Sequence, residues 1–409
     1  MIFTGFQPNA TKKDLSIALS FLLLPWKWFL LRKGIATLQV EEWLQKYFLV
    51  PYAVTFDSGR TALQKSLEAL EIEKGDEVLV QAYTCMVVSN AIHFAMGTPV
   101  YVDILHDYTM DPEDLKNKIT SKSKVLIIQH TFGQAAHVDK LVAIAQEHGL
   151  KIIEDCAHSL GATYKGKLTG TFGDIGMFSF GSDKVISCIR GGATITSDSS
   201  LGEKLQKLSD GLPLTRRLKV IQYLITIPFF AAGKPLYKFG GKIFLAVCKY
   251  LNVTGRIMYE KEKRGESVKG YPSKLPQALA VLLLSQLDSL KSFNEHRKSI
   301  AHIFFSHVMH KKVLPEDYPE HIFLRFPLQV SNIKELHRES KRRGILLGNW
   351  YDTVIAPKDC DISKSGYILG SCPRAEKMSS NSINLPTDIH ITEKDALYIS
   401  NFINTYARF

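Results

Sequence analysis

The stretch KVLIIQHTFGQAAHVDKLVAIAQEHGLKIIEDCAH, residues 124–158, decides the fold. Lys124-Val125-Leu126-Ile127-Ile128-Gln129 is a short unbroken apolar run. From Val138 to His148 the spacing becomes helical, and Gly149 ends it. Lys151-Ile152-Ile153-Glu154 returns to an apolar run. Strand, helix and strand in this order form a βαβ unit, whose crossover makes the two strands parallel. Runs that are continuously apolar, instead of alternating, imply a sheet covered on both faces.

The rhythm extends outward. Glu77-Val78-Leu79-Val80-Gln81-Ala82 follows the turn signal Lys74-Gly75-Asp76, and Pro99-Val100-Tyr101-Val102 is a further strand. The sequence therefore predicts an α/β fold, with a mainly parallel sheet flanked by helices in a large domain spanning residues 36–268. From Gly211 the character changes. Arg216-Arg217-Leu218-Lys219 leads into the apolar run Val220 to Ala232, and Lys242 to Leu251 follows, so residues 212–268 read as a helical apolar insertion. Residues 269–409 read as a linking helix and a smaller C-terminal α+β domain. The helix runs from Gln277 through Leu282, Leu284, Leu287 and Leu290 to Arg297; strand-like 323–330 and a helix over 333–343 follow. A chain of 409 residues exceeds what one core usually organises, which fits two domains.

Composition removes several function classes. Apolar residues make up 45% and charged residues 22%, as in a folded globular protein. The six cysteines form no C-x-x-C and have no His cluster beside them, so neither a metal site nor a disulfide framework is expected; a reducing, cytoplasmic setting fits. The net charge of +11 calls for an anionic partner. No nucleic-acid-binding pattern accompanies it, so no nucleic acid is expected. Basic residues instead flank apolar runs. Residues 1–35 form an apolar and basic segment in which Leu15 to Leu31 carries Trp26, Lys27 and Trp28 and leads to Arg32 and Lys33. That segment and Val220 to Ala232 read either as interfacial anchors on the inner membrane face or as helices packed together as a lid.

Ligands in such sheets sit beyond the carboxyl ends of the strands. Three features fall there. Asp57-Ser58-Gly59-Arg60-Thr61-Ala62-Leu63 opens a helix, which makes an anion site or a plain cap. Asp155 ends a strand in Ile153-Glu154-Asp155-Cys156-Ala157-His158, as a carboxylate for a metal, a ribose hydroxyl or a protonated ring nitrogen, or as a helix cap. Asp174-Ile175-Gly176-Met177-Phe178-Ser179-Phe180-Gly181-Ser182-Asp183-Lys184, then Gly191-Gly192, ends an apolar strand on a lysine. Each has an ordinary structural explanation alone. Together they are what a protein offers pyridoxal 5'-phosphate (PLP): a phosphate site, a carboxylate and a Schiff-base lysine.

From Glu41 to Ala407, interrupted by the insertion, the chain resembles the DegT/DnrJ/StrS-type sugar aminotransferases, of the type I PLP fold. Further matching segments are Gly75-Asp76-Glu77-Val78, His130-Thr131-Phe132-Gly133-Gln134 and Gly161-Ala162-Thr163-Tyr164-Lys165-Gly166. The resemblance implies that Lys184, Asp155 and His158 are catalytic, with Lys184 holding PLP, Asp155 against its ring nitrogen and His158 near its ring hydroxyl. It implies Gly59, Arg60 and Ser179 at the phosphate. It also implies a homodimer with shared active sites, a keto-sugar nucleotide as acceptor and glutamate as amino donor, in amino-sugar or surface-glycan synthesis. Cys85 stands where the family has an aromatic residue on the cofactor ring, and Gly270 where it has an asparagine reaching the neighbouring subunit. The alternatives are a dehydratase or eliminase on the same scaffold, which His in place of Lys184 would favour, or a membrane-associated binding protein without catalysis.

Overall fold

The computed structural model describes residues 1–4, 9–309 and 320–409. The large domain is built on strands β1 (Tyr52–Phe56), β2 (Glu77–Gln81), β3 (Thr98–Val102), β4 (Ser123–Gln129), β5 (Lys151–Asp155), β6 (Ile175–Ser179) and β7 (Gly192–Thr196). They form one seven-stranded sheet in the order β1-β7-β6-β5-β4-β2-β3. All are parallel except β7, which runs antiparallel to β1 and β6. Val125, Leu126, Ile127 and Ile128 are each at most 1% exposed, so the continuous run of β4 is buried on both faces as its composition requires. Type I architecture and the mainly parallel sheet are as the sequence predicts.

Gly192, the first residue of β7, has a clear steric role. A Cβ there would lie 2.4 Å from the backbone of Ser58, so only glycine lets the strand pass beneath the turn that opens the next helix. That helix, Gly59–Ala69, is capped by Ser58, whose side chain accepts from the Thr61 N–H.

The expected linking helix is two helices, Gln277–Leu287 and Leu290–His307, interrupted at Asp288-Ser289. Asp and Ser hydrogen-bond locally with the backbone, which disfavours them inside a helix. The smaller domain holds an antiparallel pair, β8 (Phe326–Gln329) with β9 (Ser382–Leu385), and the Ile333–Arg342 and Glu393–Tyr406 helices. Phe304, Phe326, Leu336, Ile383 and Ile399 share its core.

The two apolar and basic segments pack on each other. The Lys12–Leu23 helix lies against the Arg217–Gly233 helix, and Ala18, Phe21, Val220, Tyr223, Leu224 and Ile227 share one buried cluster. Pro228 lies inside the second helix and does not end it; the chain turns only after Gly233 and then forms Gly241–Tyr250. Among the described residues, no helix is long and apolar enough to cross a membrane. The outer faces are not covered: Trp26, Phe29, Ile243 and Tyr250 are exposed.

Candidate active site

The sheet register brings the three sequence features to one edge. Asp155 ends β5 opposite Gln129 of β4 and Met177 of β6, and Phe56 of β1 lies opposite Gly192. A cleft of about 490 Å³ opens at this edge, lined by Gly59, Asp155, His158, Ser179 and Lys184 and floored in part by Cys85. Lys184 stands in the turn after β6, its N–H donating to the Gly181 carbonyl at 3.2 Å. The helix start at Gly59 abuts β6: a Cβ on Gly59 would sit 2.6 Å from the Ser179 Cβ. This leaves a backbone cradle with free N–H groups of the kind that holds a phosphate.

Burial shapes the charges. Asp155 is buried, which pushes its pKa up; the Ala157 N–H, donating at 3.0 Å to one carboxylate oxygen, and the Lys184 charge oppose that shift. A buried carboxylate facing a cleft is ionised more fully when a cation stands opposite it, and a protonated ring nitrogen is such a cation. His158 is held well below the usual histidine range, first by burial and then by the charges of Lys184 and Arg325. Its imidazole is therefore neutral at pH 7. Burial raises the Cys85 thiol, so it meets the cleft as a neutral, polarisable group.

Arg60 lines the cleft, but its guanidinium is engaged by the Glu262 carboxylate and donates to the Ile257 carbonyl at 2.6 Å. A second arginine, Arg190, lies by the same helix start. It is buried, stacks at 3.9 Å on Tyr271 and approaches Asp57 at 3.8 Å. Its Nε and Nη2 have no hydrogen-bond partner among the described residues. The Gly59 cradle and these unsatisfied nitrogens fit a phosphate, and the lysine and carboxylate fit the ring of PLP.

Sequence reasoning missed the far wall of the cleft. Trp350, in the smaller domain, stacks at 5.1 Å on His158, and the Lys184 Nζ lies 4.9 Å from its ring centre. Arg325 sits 3.3 Å from the same ring. Neither residue carries a local motif; a lone Trp after Gly348-Asn349 was the only available signal. The insertion also reaches the cleft, through Phe230, Leu245, Lys249 and Arg256.

His130, Glu154 and Cys156 form a buried group of metal-ligand types. The ligand atoms of His130 and Glu154 are already occupied. The Ala136 N–H donates to His130 Nδ1 at 3.1 Å, so Nε2 carries the proton and donates to Glu154 at 3.0 Å. Glu154 also accepts the N–H groups of Gly170, Phe172 and Gly173 at 2.8, 2.5 and 2.9 Å. The group braces β5 from behind.

Comparisons with known proteins agree with this geometry. Among curated proteins, the chain is 35% identical over 214 residues to GDP-perosamine synthase of Escherichia coli O157:H7, covering 52% of this chain and 58% of that one. It is 27% identical over 359 residues to UDP-N-acetyl-3-dehydro-alpha-D-glucosamine 3-aminotransferase of Acidithiobacillus ferrooxidans, covering 87% and 84%. The chain thus spans little more than half the length of the first relative and most of the second. Among solved structures it is similar to Spr1654 of Streptococcus pneumoniae in its PMP form, with TM-score 0.77 and 22% identity over 99% of this chain and 97% of that one. It is similar also to DesV of S. venezuelae, with TM-score 0.73 and 26% identity over 97% and 94%. The sequence profile of the DegT/DnrJ/EryC1/StrS aminotransferases matches residues 23–217 and 243–404, leaving out the two ends of the chain and residues 218–242 of the insertion. Spanning both domains and every strand that meets the cleft, that match makes the chain a member of the DegT/DnrJ/EryC1/StrS aminotransferase family.

Proposed function

We propose that this protein is a PLP-dependent aminotransferase that moves the amino group of glutamate onto a nucleotide-linked keto-sugar. The observation that carries the reading is the meeting of Lys184, Asp155, His158 and the Gly59 helix start on one cleft. Relatives named for sugar-nucleotide chemistry support the acceptor class. Lys184 would hold the cofactor through Nζ, Asp155 would face its ring nitrogen and His158 its ring hydroxyl. Gly59, Ser179 and Arg190, with Arg60, would take the phosphate, and Cys85 would lie on the ring. Bound there, the cofactor supplies a sink for the electron pair left when a proton leaves the carbon beside the transferred nitrogen.

The chain's own residues do the rest. Lys184 Nζ, once free, accepts that proton from the donor and returns one to the acceptor carbon. Asp155 keeps a negative charge at the floor of the cleft. Neutral His158, stacked on Trp350, accepts or donates one hydrogen bond without competing for the proton that Lys184 carries. The smaller domain and the insertion wall the cleft and limit water.

We infer further that the working unit is a homodimer. We also infer that the outer faces of the apolar segments, with Trp26, Trp28, Phe29, Ile243 and Val247 exposed and Lys33 and Lys242 exposed on the same segments, rest on an anionic bilayer.

The purified protein is expected to be yellow and to bleach with glutamate, with the colour restored by the right keto-sugar nucleotide. Lys184→Ala is expected to melt as the wild type does while losing both turnover and the borohydride-trapped bond. Turnover near the wild-type rate in that variant would remove Lys184 from the mechanism.

A further inference from the structure

The insertion gives this chain a cleft wall of its own. Residues 218–242 lie outside the family match, and Phe230 of that stretch lines the cleft. Leu245 and Lys249 of the Gly241–Tyr250 helix line it too, followed by Arg256, Ile257 and Met258. Leu245 and Lys249 stand one turn apart, so they share a face of their helix. Ile243, Val247 and Tyr250 fall on the opposite face and are 69%, 48% and 84% exposed, against 7% for Leu245. One helix, about 10 Å thick, therefore separates the cleft from an apolar outer surface.

Two cations mark this wall. Arg256 Nη2 donates to the Lys249 carbonyl at 3.4 Å, which sets the two residues side by side. The Arg256 Nε is buried and has no partner among the described residues. The acids at this end are committed elsewhere: Glu260 and Asp359 also line the cleft, and both pair with Lys263, at 3.0 and 2.6 Å. Lys249 and Arg256 are thus left for an anion that arrives with the ligand. Around them the wall is apolar, built by Phe230, Leu245, Ile257 and Met258. The Thr226 hydroxyl is occupied, donating to the Gln222 carbonyl at 3.1 Å and accepting the Gly255 N–H at 2.9 Å. Specific recognition of a nucleobase needs placed polar groups. A hydrocarbon needs only an apolar surface.

We propose that the cleft also takes a keto-sugar joined through a diphosphate to a membrane polyprenol, with Lys249 and Arg256 on the diphosphate and Phe230 and Leu245 against the first isoprene units. The proposal rests on the aminotransferase reading for its chemistry and adds a membrane-borne acceptor beside the nucleotide-linked one. The reaction itself is the same. The ketone C=O of the sugar becomes CH–NH3+, the amino acid becomes its 2-oxo acid, and the bond to the diphosphate is untouched. The polyprenol stays in the bilayer while its sugar reaches past one helix into the cleft. That accounts for a helix with a cation and a leucine on its cleft face and Ile243, Val247 and Tyr250 on its outer face.

Calorimetric titration of the holoenzyme with geranyl diphosphate, inorganic diphosphate and UDP separates the parts without turnover. Geranyl diphosphate is water-soluble and carries a short isoprenoid chain. It should bind at least about tenfold tighter than inorganic diphosphate, the effect of burying a few CH2 groups. Lys249→Gln with Arg256→Gln should weaken all three ligands at least about tenfold, the scale of a lost charge-assisted bond. Phe230→Ser should weaken geranyl diphosphate about tenfold and leave UDP and inorganic diphosphate unchanged. Geranyl diphosphate that binds no tighter than inorganic diphosphate overturns the proposal. So does geranyl binding that is unmoved in either variant while that variant melts as the wild type does. If a variant melts early, the ranking of the ligands on the wild type decides alone. Failure of glutamate to bleach the wild type counts instead against the aminotransferase reading, and the titration still decides the isoprenoid site.

Discussion

Asp155 is where the chemistry is most sensitive to a single atom. Its carboxylate is buried and is the anion aimed at the cleft floor, with Ala157 holding one oxygen. Asparagine keeps the shape and removes the charge. Asp155→Asn is therefore expected to bind the cofactor yet turn over about a hundredfold more slowly, the rate equivalent of roughly 3 kcal/mol. Absorbance titration and steady-state kinetics check the two halves separately; undiminished turnover would leave Asp155 a turn cap on the Ala157 N–H, since the helix whose cap the sequence allowed for does not form after β5. The places of Gly59, Asp155 and Lys184 by the cleft were legible in the sequence because they open a helix, end a strand and follow the Ser-rich turn after a strand; His158 came only with the family resemblance. Trp350 and Arg325 were not legible. They reach the cleft only through the packing of the smaller domain, and their side chains have no local pattern that separates them from core residues. Arg60 shows the opposite limit: its place by the helix start was readable, but its engagement with Glu262, from the insertion, was not.

At the level of elements, strands with unbroken apolar runs announced themselves, and the parallel sheet followed from their spacing. The direction of β7 did not. Gly192-Ala193-Thr194-Ile195-Thr196 is buried throughout although two of its five residues are threonine, and the chain returns to it from β6 through the turn that carries Lys184. The two apolar and basic segments are the element with two faces. Their inner faces pack on each other, which buries Phe21, Val220 and Ile227. Their outer faces keep aromatic and aliphatic side chains in water. Wild-type protein is expected to float with anionic vesicles at low salt and to be released at high salt, since each basic residue near an anionic surface adds about 1 kcal/mol. Lys33→Glu with Lys242→Glu, two exposed positions, should abolish flotation while leaving the melting temperature unchanged. Wild type that stays at the bottom of the gradient would leave the lid as the segments' whole role.

For the whole molecule, the question is how many chains make one active site. The cleft of one chain already holds the lysine, the carboxylate and the phosphate cradle. Ile35 and Leu38, at the start of the Ala36–Phe48 helix, remain exposed. A homodimer is expected by light scattering, with specific activity that falls as dilution drives the chains apart. A monomer that is fully active at nanomolar concentration would refute the shared site.

The back of β5 has a consequence for folding fidelity. Successive side chains of a strand point to opposite faces, so Glu154 and Asp155 are committed to opposite tasks. Three backbone N–H groups and His130 grip Glu154 on the scaffold side, and Asp155 is thereby delivered to the cleft. A slip of one residue would put one acid in the other's place and drive the second acid, or Lys151, into an apolar slot of the strand. The fourfold grip on Glu154 thus adds a polar key to the apolar register of the strand, and the same register sets Asp155 at the cleft.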